Sequence, residues 1–204
     1  MTIDVLAYGM FDSNSYIVSD NGEAILVDAG VEAEEIKKVL DKRNAKLKYI
    51  LLTHGHIDHI VHTDSIKKLY GGEVVINIED AECLINPSES LGSMMGLDYV
   101  FDKADIIVND NDKLEFGNSI VEVIHTPGHS PGSVCFKIGG NLFSGDTLFN
   151  QSIGRYDFPK SDGSKLFSSI KDKLFTLPND TKVYPGHGDS TSIVFEKENN
   201  PFFQ

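Results

Sequence analysis

Apolar residues alternate or cluster over strand lengths at the amino end of the chain. Residues 2–8 and 14–19 read as strands, with Asp12-Ser13-Asn14 as the turn between them. Asp20-Asn21-Gly22 is a hairpin signal. It leads into Ala24-Ile25-Leu26-Val27, a strand that ends in Asp28-Ala29-Gly30, so the opening is a β-meander. From Val31 the period changes. Ala33, Ile36 and Leu40 recur at helical spacing, and Glu32, Glu34 and Glu35 precede Lys37, Lys38, Lys42 and Arg43. That order of charge complements a helix dipole. The short apolar run at 48–52 reads as a buried strand, and a helix over 58–70 closes at Gly71-Gly72.

A strand at 74–78 and a helix at 79–84 follow. Residues 86–104 carry Pro87, Gly92, Gly96 and adjacent Met94-Met95 without clear periodicity, so they read as a surface loop, with a flap as the alternative. Strands return at 106–108, 113–116, 120–124, 133–138 and 141–144. Leu166, Ile170 and Leu174 mark an amphipathic helix after the Asp162-Gly163 break, a last strand covers 181–184, and a last helix covers 190–197. No repeat, low-complexity segment or interdomain linker interrupts residues 1–204, which are expected to form one domain. Periodicity alone supports a mixed α/β layered domain and nothing finer.

Composition narrows the function class. A formal charge of −13 with a pI near 4.8 argues against a nucleic-acid partner, because binding a polyphosphate needs a basic face. The amino terminus has neither a basic start nor a long apolar run, and no stretch approaches the ~20 apolar residues of a spanning helix. Cys83 and Cys135 belong to no C-x-x-C pair and read as buried small side chains in a reducing compartment. A cytoplasmic address without membrane attachment is the expectation.

Candidate chemistry is concentrated in Thr53-His54-Gly55-His56-Ile57-Asp58-His59, directly after the 48–52 strand. Three imidazoles and a carboxylate packed this closely point to metal binding, and Gly55 lets the backbone turn between the first two. Three later loops have the same character. Thr126-Pro127-Gly128-His129-Ser130-Pro131-Gly132 lies between two strands, Gly145-Asp146-Thr147 lies past a strand end, and Tyr184-Pro185-Gly186-His187-Gly188-Asp189 follows the last strand. Each has glycine or proline beside the potential ligand.

His-x-His-x-Asp-His, followed by a lone His, Asp and His each past a strand end, resembles the metallo-β-lactamase superfamily. Gly145-Asp146-Thr147-Leu148-Phe149, Ser152-Ile153-Gly154-Arg155 and Tyr184-Pro185-Gly186-His187-Gly188 are similar to its glyoxalase II-like branch, as is the ending Phe195–Phe202 to short bacterial members. Ile25–Gly30 matches the family's early strand. The resemblance implies an αββα sandwich, with two divalent metals between the sheet edges. Carried over by motif, His54, His56 and His129 hold one metal, Asp58, His59 and His187 hold the other, and Asp146 bridges them. Zinc is the default, with iron or manganese also acceptable to such ligands.

The implied activity is hydrolysis of an acyl bond, most economically a thioester, with Asp58 and Asp146 acting mainly by ligation. The partner would be a small acyl-thiol molecule. Asp28 is the candidate carboxylate orienting a ligand imidazole. Arg155 could fix a substrate carboxylate or pair with Asp157, and Asn14 and Tyr16 are candidates for lining the mouth. His62 and His125 read as non-ligands. Asp146 stands where proper lactamases commonly place cysteine, which with the absence of an export signal turns the expectation away from antibiotics. The extra helical domain that helps longer glyoxalase II enzymes bind glutathione has no counterpart here, so recognition of that carrier stays open. The alternative within the same branch is a mononuclear iron persulfide dioxygenase, whose Gly-Arg-x-Asp stretch matches Gly154–Asp157.

Overall fold

The alternation along the strands decides the layering. A computed structural model describes residues 1–204. In the first sheet, Val18, Ile25 and Val27 face inward, while their neighbours Ile17 and Leu26 face outward toward helices. Both faces are apolar because both are covered, and the central strands therefore read as apolar runs.

The first sheet holds β1 (Thr2–Leu6), β2 (Ser15–Asp20), β3 (Glu23–Val27), β4 (Lys46–Leu51), β5 (Glu73–Asn77) and β6 (Ile106–Val108), in that spatial order. Its first three strands form the antiparallel meander, and β3 to β6 run parallel. The second sheet comprises β7 (Lys113–Phe116), β8 (Ser119–His125), β9 (Val134–Ile138), β10 (Asn141–Gly145), β13 (Lys182–Pro185) and β14 (Thr191–Ser192). Its order is β14-β13-β10-β9-β8-β7, with β10 and β13 parallel. A separate hairpin pairs β11 (Leu148–Phe149) with β12 (Ser152–Ile153).

Between the sheets, Val18, Ile25 and Leu51 pack with Val123, Phe136 and Phe143. Outside the first sheet, α1 (Ala33–Arg43) contributes Ile36 and Leu40 to a layer that also holds Leu26, Ile50 and Ile66. Outside the second, Leu166, Ile170 and Leu174 cover Leu142 and Val183. The result is the expected αββα sandwich.

Several elements differ from their sequence reading. The helix over 58–70 is two pieces, α2 (Ile57–Ile60) and α3 (Thr63–Tyr70). The break arises because the His62 amide donates to Ala29 O at 3.0 Å instead of to a carbonyl one turn back. Residues 78–84 form a 3₁₀ run, with Asn77 capping its start through Oδ1. The Leu166 helix is α-helical only over α4 (Gly163–Ser168), then passes through a π turn and a 3₁₀ turn, yet its three spaced leucine and isoleucine residues stay fully buried. The last helix, α5 (Ile193–Asn199), starts after the short strand β14. The β11–β12 hairpin was not legible, since two residues per strand carry no period. No helix is long and apolar enough to cross a membrane.

Candidate metal centre

Parallel strands place their carboxyl ends at one edge of the sandwich, and loops leaving those ends bring the polar residues together. Asp28 follows β3, the His54–His59 run follows β4, His129 follows β8, Asp146 follows β10 and His187 follows β13. Three groups of potential ligand atoms result, each within 4.8 Å of one another: His54, His56 and His129; His54, His59 and Asp146; and Asp58, His59 and His187. Asp146 links the second group to the others, with Oδ1 3.4 Å from His59 Nε2 and Oδ2 3.5 Å from His129 Nε2. Oδ2 of Asp58 is 3.2 Å from His187 Nε2 and 3.4 Å from His59 Nε2.

The imidazoles are held from behind. His59 Nδ1 lies 2.8 Å from Asp28 Oδ2, His129 Nδ1 lies 2.8 Å from the Arg155 carbonyl oxygen, and His54 Nδ1 lies 3.1 Å from Thr53 Oγ1. The Thr53 hydroxyl in turn donates to Asp28, as does the Thr53 amide at 2.8 Å. Acceptors behind Nδ1 place a proton there and leave the Nε2 lone pair facing the cluster.

The residues fit a metal. Nε2 of His54, Nε2 of His129 and Oδ1 of Asp146 are buried without any hydrogen-bond partner in the protein. Buried polar atoms normally find a partner, and a cation would supply one for all three. Burial, reinforced by neighbouring imidazoles, holds His54 and His56 well below the ordinary histidine pKa, which keeps them neutral donors. For His59, burial lowers the pKa but Asp58, Asp146 and Asp28 outweigh it and raise it to about 10. Burial likewise opposes the Asp58 carboxylate, but His59 and His187 hold its pKa well below the usual range. The site therefore attracts positive charge, whether as a proton on His59 or as a metal.

Glycine is required next to these ligands. A Cβ at Gly186 would collide with Asp146 Oδ1 and lie 2.8 Å from His59 Cε1, and one at Gly154 would collide with the Asp146 carbonyl oxygen.

Other candidates fall in different places. Asn14 and Tyr16 do not line the mouth: both are buried, and both hold the His187 loop. Asn14 Nδ2 donates to Pro185 O at 3.0 Å and Gly188 O at 2.9 Å, and the Tyr16 hydroxyl donates to Pro185 O at 2.5 Å. Arg155 makes two hydrogen bonds of 2.9 Å to Asp157, and its guanidinium lies 4.1 Å from the Phe158 ring centroid. His62 stands at the start of α3, outside the ligand groups, and His125 Nε2 faces Pro131 O at 2.9 Å.

One supporting residue escaped the sequence reading. Asp80, buried, accepts from the Gly55 amide at 2.9 Å, the Gly132 amide at 2.7 Å and Ser130 Oγ at 2.6 Å. It ties the loop carrying His54 and His56 to the loop carrying His129. A single acid after a strand gave no signal of that role. Above the cluster lies a cleft of about 400 Å³, bordered by His56, Asp58, His129, Asp146 and His187 and walled by apolar side chains, including Leu91 and Met95 from the 86–104 segment.

The chain is similar to several known proteins. A hydroxyacylglutathione hydrolase, GloC, of Haemophilus influenzae is 34% identical over 210 residues, covering 99% of this chain and 98% of that protein. The crystal structure of the BLEG-1 B3 metallo-beta-lactamase superposes with a TM-score of 0.93 at 34% identity, covering 100% of both chains. That of TTHA1623 in a di-iron-bound form gives a TM-score of 0.85 at 32% identity, covering 98% of this chain and 99% of that one. Residues 8–187 match the family model of the metallo-beta-lactamase superfamily, and the chain belongs to that superfamily.

Proposed function

We propose that the chain is a metal-dependent hydrolase that cleaves a thioester. The observation that carries this reading is an open, apolar-walled cleft of about 400 Å³ with metal-suited ligands along its border. Such a cleft takes a small organic molecule and brings it to the polar cluster. The hydroxyacylglutathione hydrolase at 34% identity supports the thioester.

In this reading His54, His56 and His129 hold one metal and Asp58, His59 and His187 hold a second, with Asp146 serving both. Zinc is the default occupant, and the di-iron form of a 32%-identical structure supports iron as a substitute. Metals bound there supply a water of lowered pKa and an electrophile for the carbonyl oxygen. The chain's own residues do the rest. Asp28, Thr53 and the Arg155 carbonyl fix the imidazoles, and Asp80 fixes the two loops against each other. Asp58, held ionised by His59 and His187, and Asp146 act as ligands. The apolar walls line the space the organic part of the substrate would occupy. A thiolate leaves readily, so no strong general acid is needed. The partner is a small acyl-thiol, not a nucleic acid or a membrane, met in the cytoplasm by one domain spanning residues 1–204.

Metal analysis of protein purified without chelator, followed by a substrate panel, tests the reading. About two metals per chain with thioester turnover is the expected result. One iron per chain with oxygen uptake on a persulfide would replace it with the dioxygenase. Turnover of β-lactams alone, the substrate class named for BLEG-1, would replace it with a lactamase.

A further inference from the structure

The walls of the cleft say more than its floor. Six apolar side chains, Phe11, Ile57, Leu91, Met95, Phe149 and Phe158, face the same space. Phe11 and Met95 are 58% and 45% exposed, an apolar rim left open to solvent at the mouth. Leu91 reaches the wall from a left-handed backbone, at φ 64°. That conformation is unfavourable for a bulky side chain.

Cationic side chains are scarce there. Arg155 is the one lysine or arginine bordering the cleft, and its exposed guanidinium is paired with Asp157 through two hydrogen bonds. Lys160, further along the same loop, is paired with Glu89. The chain as a whole carries −13. A carrier bearing several carboxylates or phosphates would meet Arg155 as its one guanidinium along the cleft border.

We propose that the cleft selects thioesters with an apolar acyl group on an uncharged carrier over those on charged carriers such as glutathione. The proposal rests on the thioester reading. Apolar walls gain affinity for each methylene withdrawn from water, about fourfold, which is ~0.8 kcal/mol at 1.36 kcal/mol per decade.

The test is a series of N-acetylcysteamine thioesters from acetyl to octanoyl, with lactoylglutathione as the anionic comparison. A parallel calorimetric titration uses the non-hydrolysable S-alkyl thioethers of the same carrier. We expect kcat/KM and thioether affinity to rise about fourfold per methylene over the first few carbons, and lactoylglutathione to be the poorer substrate. Met95→Ser should flatten both series. A flat series, or a higher kcat/KM for lactoylglutathione than for the octanoyl ester, overturns the proposal. If no thioester turns over while thioether binding still climbs with chain length, the thioester reading fails and the apolar selectivity stands. Binding independent of chain length overturns the selectivity in either case.

Discussion

Oδ2 of Asp28 lies 2.8 Å from Nδ1 of His59, and the same carboxylate takes the Thr53 amide and hydroxyl. Asp28 does this from a left-handed backbone at φ 59°, which asparagine also tolerates. Asp28→Asn therefore keeps the turn and removes the charge behind His59. Metal affinity should fall by roughly tenfold or more, read by competition with a chromophoric chelator. An unchanged affinity would show that the carboxylate only shapes the turn.

Asp146 lies 3.4 Å from His59 and 3.5 Å from His129, which belong to different ligand groups, whereas His62 belongs to none. Asp146→Asn should lower metal content and cut turnover severely. His62→Ala should leave both near the parent values. Elemental analysis and rates measured side by side decide it, and a fully loaded, active Asp146→Asn protein would sink the shared-ligand assignment.

Asp80 is expected to matter for stability as well as for the site. Asp80→Ala leaves the Gly55 and Gly132 amides and Ser130 Oγ without their acceptor. Leaving a buried donor unmet costs about 1–3 kcal/mol, so urea unfolding of the metal-free variant should show a loss of at least ~2 kcal/mol. Asp80→Asn, which retains one acceptor, should recover part of that loss.

Acidity offers a check on the charge balance. The His59 pKa is raised on folding to about 10, because Asp58, Asp146 and Asp28 outweigh its burial. A raised pKa contributes stability that is fully present below the unfolded value of ~6.5 and is lost as pH climbs through the folded one. The metal-free protein should therefore lose thermal stability between about pH 7 and pH 9. Metal replaces the proton, so loading should abolish that slope and release protons. Melting curves with and without metal, and titration heats in buffers of different ionisation enthalpy, would show it. A metal-free Tm that is flat over this range would contradict the assignment.

The candidate ligands were legible because metal chemistry needs particular residue types, and His54–His59 concentrates four of them beside a strand that its own apolar run reveals. The strands of both sheets were legible for a related reason: an edge-on period of two, or an apolar run, follows directly from which faces are covered. The family resemblance of the glycine-flanked histidines supplied the αββα order that periodicity alone did not.

What the sequence by itself determined is what depends on neighbouring residues: the meander, the helix of Ile36 and Leu40, and the identity of the ligand-bearing loops. Tertiary structure decided whatever depends on a partner far along the chain. The helix at 58–70 breaks because Ala29 O claims the His62 amide. Asn14 and Tyr16 turn inward because the carbonyls of Pro185 and Gly188, remote in sequence, lie within reach of their side chains. Asp80 acquires a role only once two loops converge on it. No local pattern encodes those distances, since hydrogen-bond partners are chosen by the packing of the two sheets and not by the spacing of residues along one strand.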